Sequence, residues 1–99
     1  MKSPINGRKK MKAIVSVVGK DRVGIIAAVT VKLSELQINV LDISQTILQD
    51  YFTMVMSVDL EKCTLSFGET KEILAKLGDE MGLTIRIQRT EIFDAMYKI

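Results

Sequence analysis

Hydrophobic and polar residues follow two different periods along this chain, and the switches between them mark out its elements. Residues 12–19 (KAIVSVVG) form a short β-branched run closed by glycine, the pattern of a central strand. From 23 to 37 the spacing becomes helical, with Ile26, Val29, Leu33 and Leu36 on one stripe and Asp21 placed to cap the helix. Ala27, Ala28 and Val31 widen the apolar arc. An arc this wide predicts a contact beyond the helix's own sheet; the alternative is that alanines simply suit a helix.

Alternation by two returns over 39–49, with Leu41, Ile43 and Ile47 on one side and Asp42, Ser44 and Thr46 on the other. Asp50 marks a hairpin turn. Residues 51–60 then set Phe52, Met54, Met56, Val58 and Leu60 inward against Thr53, Ser57 and Asp59. This predicts an antiparallel sheet with one face covered and one free. Ser66 and Glu69 have the spacing of a capping box. The helix they open carries Leu74, Leu77 and Met81 and stops at Gly82. Leu83, Ile85 and Ile87 face one way in the last strand, over 83–89. Residues 90–99 predict a short terminal helix, with Ile92, Phe93, Met96 and Tyr97 on its apolar side.

The order β-α-β-β-α-β predicts an α+β, ferredoxin-like sandwich. Its four-stranded antiparallel sheet carries two helices on one face, plus the short C-terminal helix. The expected core is Ile14 or Val15, Ile26, Leu33, Leu41, Ile43, Met54, Met56, Leu74, Leu77, Ile85 and Ile87. Ninety-nine residues fit one domain. Residues 1–10 are polar and basic, without periodicity, and read as a flexible tail before a domain at 11–99; Met11 is an alternative start.

Charge changes the picture only once the tail is set aside. The formal net charge is +2, from 14 basic and 12 acidic residues. Lys2, Arg8, Lys9 and Lys10 all lie in the tail, so the remainder is −2. A nucleic-acid partner is therefore not expected, since phosphate binding needs a basic face. No apolar run is long enough to span a bilayer, and no hydrophobic segment follows the basic start as a signal peptide requires. Cys63 is the single cysteine, which rules out an intrachain disulfide and suits a reducing cytoplasm. It reads as a buried structural thiol.

The chain has no histidine. That excludes imidazole bases, Ser-His and Cys-His nucleophiles and histidine metal sites, and one cysteine cannot build a zinc cluster. No metal or cofactor is expected. The first loop lacks the paired cysteines of a copper carrier. The first strand lacks aromatics, and Tyr51 and Phe52 fall on opposite faces, so no base-stacking platform forms. An acylphosphatase-like enzyme would use Arg22 and loop amides for phosphate and Asn39 to orient water. The loop is, however, shorter than a glycine-rich phosphate cradle.

What remains is Lys20-Asp21-Arg22-Val23-Gly24 at the start of a helix. Unpaired amides there suit an anion such as a carboxylate, and Gly24, in the first turn, permits close approach. The alternative is structural: Asp21 caps and Gly24 eases a turn.

The segment VGKDRVGIIAAVTVKLSELQINVLDISQ resembles the ACT family in its first strand, D-R-x-G-I/L loop, first helix and N-I/V-x-D opening of the second strand. The resemblance covers roughly residues 12–90. It is nearest to single-domain bacterial and archaeal ACT proteins related to the glycine-cleavage repressor type. It implies sensing of a small molecule, commonly an amino acid, near the first loop and often across a subunit contact. The implied ligand-binding positions are Asp21, Arg22, Val23, Gly24, Asn39 and Asp42. Val23 stands where the family commonly has proline, which leaves the loop less rigid but keeps its amides. The expectation is a cytoplasmic, non-catalytic, amino-acid-binding regulatory module, a homo-oligomer, acting on an enzyme or regulator. The alternative is a ligand-free interaction module.

Overall fold

A computed structural model describes residues 12–90. It contains β1 (Lys12–Lys20), α1 (Ile25–Glu35), β2 (Asn39–Leu48), β3 (Tyr51–Asp59), α2 (Phe67–Met81) and β4 (Leu83–Arg89). The strands form one sheet in the order β2-β3-β1-β4, every neighbouring pair antiparallel. This is the predicted ferredoxin-like βαββαβ sandwich. The predicted terminal helix lies outside the described residues, apart from Thr90 at their end.

Period-two alternation builds the core. Ala13, Val15 and Val17 of β1, Phe52, Met54, Met56 and Val58 of β3, and Leu83, Ile85 and Ile87 of β4 are buried on one face. Ile25, Val29 and Leu33 of α1 and Leu74 of α2 close over them. Each such aliphatic residue contributes about 1.5–3 kcal/mol relative to exposure.

Four expected core positions are corrected. The buried stripe of α1 is Ile25, Val29 and Leu33, while Ile26 keeps 38% of its surface. The cause is phase: the helix begins at Ile25, which turns Ile26 about 100° off the sheet-facing line. Leu41 and Ile43 remain 46% and 43% exposed. Ile43 does lie on the helix side, directly opposite Met56. It sits, however, on the edge strand, at the margin of the helical layer. Leu77 is half-buried rather than fully covered, as is Cys63, whose thiol lies 3.7 Å from Thr70 Oγ1.

The helix ends obey local chemistry. Ser66 and Glu69 form both halves of the capping box, at 3.1 and 2.9 Å. Gly82 ends α2 in the left-handed region at φ 72°. α1 ends in a Schellman motif, with Gln37 N–H donating to Ser34 O and Ile38 N–H to Leu33 O. The left-handed residue there is Gln37, at φ 63°, where glycine is usual.

Candidate functional site

The loop 21–24 joins β1 to α1 and is fastened at two points. Asp21 N–H donates to Asp50 O at 2.8 Å, which ties the loop to the β2–β3 turn. Arg22 Nη1 donates to Met81 O at 3.0 Å. α2 has no basic residue in its own last turn, so Arg22 supplies the cation that its C-terminal carbonyls favour. Val23 between them is 98% exposed.

The expected capping role of Asp21 is not what the backbone adopts. The N-cap of α1 is Gly24, in the left-handed region at φ 93°, and no side chain accepts from the first helical amides. A glycine fits because any Cβ would be strained at this φ. The spot itself is open, with no atom within 4 Å of where a Cβ would stand. The start of α1 therefore presents amides with no side-chain cap, no acid in its first turn, and Arg22 in the loop just before it.

Asn39 and Asp42 lie elsewhere. Asn39 opens β2 opposite Asp59, whereas the loop adjoins the far end of β2, where Leu48 pairs with Tyr51. Nine residue steps separate the ends of this strand, about 30 Å at strand rise. One chain thus does not bring Asn39 and residues 21–24 to one small ligand. Asp42 follows a bulge between Val40 and Asp42 and turns its side chain locally, Oδ1 accepting from Ile43 N–H at 2.9 Å.

Around Asn39 is a cleft of about 730 Å³ that sequence reasoning did not anticipate. Ser34 and Gln37 reach it from the end of α1, Asp59 from β3, and Glu61 and Lys62 from the following turn. No motif marks these residues. Only the pairing of the end of β3 with the start of β2 brings 59–62 beside 39.

β2 is unusual as an edge. All ten of its residues except Val40 are exposed. Ile43, Gln45 and Ile47 face the helix side opposite Met56, Met54 and Phe52, yet Ile43 and Ile47 keep 43% and 53% of their surface. Between Ile43 and Leu48 there is neither charge nor proline, the usual protections of a free edge. β4, at the other edge, carries Arg86 and Arg89. Among the described residues no cluster of three metal-ligating side chains occurs, and no helix is long and apolar enough to cross a membrane.

Known proteins fit this picture. The ACT domain profile matches residues 12–88. A UPF0237 protein of Listeria monocytogenes is 51% identical over 89 residues, 90% of this chain and 100% of the relative. The structure of an ACT domain protein from Streptococcus pneumoniae is 44% identical, with a TM-score of 0.76, over 88% of this chain and 98% of that one. A chain described as a glycine cleavage system transcriptional repressor shares the fold at 23% identity and a TM-score of 0.69, over 82% of this chain and 46% of its own. A strand order of β2-β3-β1-β4, the loop-to-α1 junction and a profile match running from the start of β1 into β4 agree on one assignment: the chain belongs to the ACT domain family.

Proposed function

We propose that this chain is a cytoplasmic regulatory module that binds an amino acid without catalysis, at a site shared between two copies. The observation that carries the reading is the separation of the two halves of the candidate site along β2. The loop 21–24 offers donors for a carboxylate, from the α1 amides and Arg22. Asn39, at the other end, offers an acceptor for an ammonium group. Antiparallel pairing of β2 with the β2 of a second copy sets the Leu48 end of each strand against the Asn39 end of the other. Each loop then neighbours the partner's Asn39, and two equivalent sites form.

The edge itself favours such pairing. It presents unpaired backbone groups, exposed Leu41, Ile43 and Ile47, and no charge from Ile43 to Leu48. A two-fold pairing is self-complementary, the commonest form of oligomer. It would also cover Ile26, 38% exposed on the flank of α1.

A thermal-shift screen of the full chain against free amino acids tests the reading, together with sedimentation velocity. The expected result is a dimer and a rise in melting temperature with at least one amino acid, as preferential binding to the folded state requires. A monomer at micromolar concentration would defeat the shared site. A dimer that no amino acid stabilises would defeat the ligand class.

A further inference from the structure

We infer that residues 91–99 fold back over the free face of the sheet and seat their apolar side on the row formed by Ser57, Ile14 and Gln88. The two helices cover one face of the sheet. On the other face β1 places Ile14, Ser16 and Val18, each opposite one residue of β3 and one of β4. The register sets Ser57, Ile14 and Gln88 side by side at one end of this face, and Thr53, Val18 and Thr84 side by side at the other.

The two rows are matched in build and unequal in exposure. Each holds a β-branched aliphatic residue between two polar ones, two positions from an end of β1. Ser57, Ile14 and Gln88 are all half-buried, whereas Thr53, Val18 and Thr84 are all exposed, Val18 by 43%. The first row has a cover that the second lacks.

Thr90 marks where that cover comes from. Alternation along β4 carries it past Gln88 on the free face, and β4 ends just before it. Its Oγ1 is buried and has no hydrogen-bond partner among the described residues. A hydroxyl at the end of a bare antiparallel face would meet water. Nine residues follow Thr90. As the helix their pattern predicts, they reach about 13 Å. From β4 across β1 to β3 is two strand spacings, about 10 Å. At 100° per residue, Ile92, Phe93, Met96 and Tyr97 fall on one side, and Glu91, Asp94 and Lys98 on the other. The apolar side then meets Ile14 at the centre of the row, and the charged side meets water. Ile43 and Ile47 of β2 are a poorer seat for this segment, since they lie on the opposite face and three strand spacings from β4.

A strap in this position closes the face by which two sheets would stack, and it leaves the β2 edge as the route for pairing. The inference goes beyond the shared-site reading and does not rest on it. Nuclear Overhauser contacts in the full chain test it. Expected are contacts from the Ile14 methyl groups to the ring protons of Phe93 or Tyr97. Mixing isotope-labelled with unlabelled chains separates contacts within a chain from contacts between copies. Met96→Asp, shown to be folded by its circular dichroism, should shift the amide signals of Ile14, Ser57 and Gln88 and leave those of Ile43 and Ile47 in place. Absence of the Ile14 contacts, or their presence only between labelled and unlabelled chains, overturns the inference. So does a Met96→Asp chain in which the row does not shift, or in which residues 43–47 shift in its stead. Contacts within a chain that sediments as a monomer keep this inference and defeat the shared site.

Discussion

Two glycines of α2 should respond in opposite ways to the same substitution. Gly78 lies inside the helix where it crosses β4. A Cβ built there would stand 2.6 Å from Leu83 O, and 3.3 Å from both Ile85 N and Ile85 Cγ1. The first contact is with backbone, so it is not relieved by a rotamer change. To reach even 3.0 Å, α2 and β4 must separate by about 0.4 Å, in a layer that also packs Leu74, Leu83 and Ile85. Overpacking of this kind costs about 1–3 kcal/mol. Alanine returns up to about 1 kcal/mol as the better helix former. Gly78→Ala should therefore be destabilising by about 1–2 kcal/mol, which is a fall of about 5–15 °C in Tm for a domain of this size. Gly68, near the start of the same helix, has only Ser66 Oγ, at 4.0 Å, beside its would-be Cβ. Gly68→Ala should keep the helix-propensity gain and raise Tm by a few degrees. Calorimetric melting of both variants at one protein concentration decides the matter. If Gly78→Ala melts at or above the parent, the close approach of α2 to β4 is wrong.

Other substitutions probe the loop, the edge and the caps. Gln37→Gly relieves a left-handed conformation at the end of α1 and should be stabilising by about 1 kcal/mol in urea unfolding. Gly24→Val, at φ 93°, should be destabilising by about 1–3 kcal/mol even without ligand, so Asn39→Ala is the cleaner probe of binding. Ser66→Ala removes one half of the capping box and should lose about 1 kcal/mol in the same assay. Ile47→Lys places charge on the exposed edge and should shift sedimentation from dimer to monomer with little change in the monomer's circular dichroism.

The sequence was most legible where the physics is local. Ser66 and Glu69 lie three residues apart and close on each other in the structure. Gly82 stops α2 as glycines commonly do, and the alternation of Phe52, Met54, Met56 and Val58 survives because β3 lies between two other strands. The loop was less legible. Asp21 has the chemistry of an N-cap, but its backbone N–H is drawn to Asp50 O, a partner 29 positions away, and the cap passes to Gly24. Such a contact leaves no local spacing to detect.

β2 failed for a more general reason. Period two states which residues share a face; it does not state whether anything covers that face. Leu41, Ile43 and Ile47 have the same alternation as β3, yet β3 is interior and β2 is an edge. Burial was therefore overestimated at the one strand where, among the described residues, an apolar face lacks a cover. The same fact recasts Asn39 and the loop 21–24. Read as a linear motif they look like parts of one site, because the intervening helix returns the chain to the sheet. The pairing shows that α1 and β2 run past each other, so the motif's two ends arrive at opposite ends of one edge strand. A helix with donors at its start and acceptors beyond its end cannot close a small zwitterion within itself. Two such helices, antiparallel across a shared edge, can do so twice.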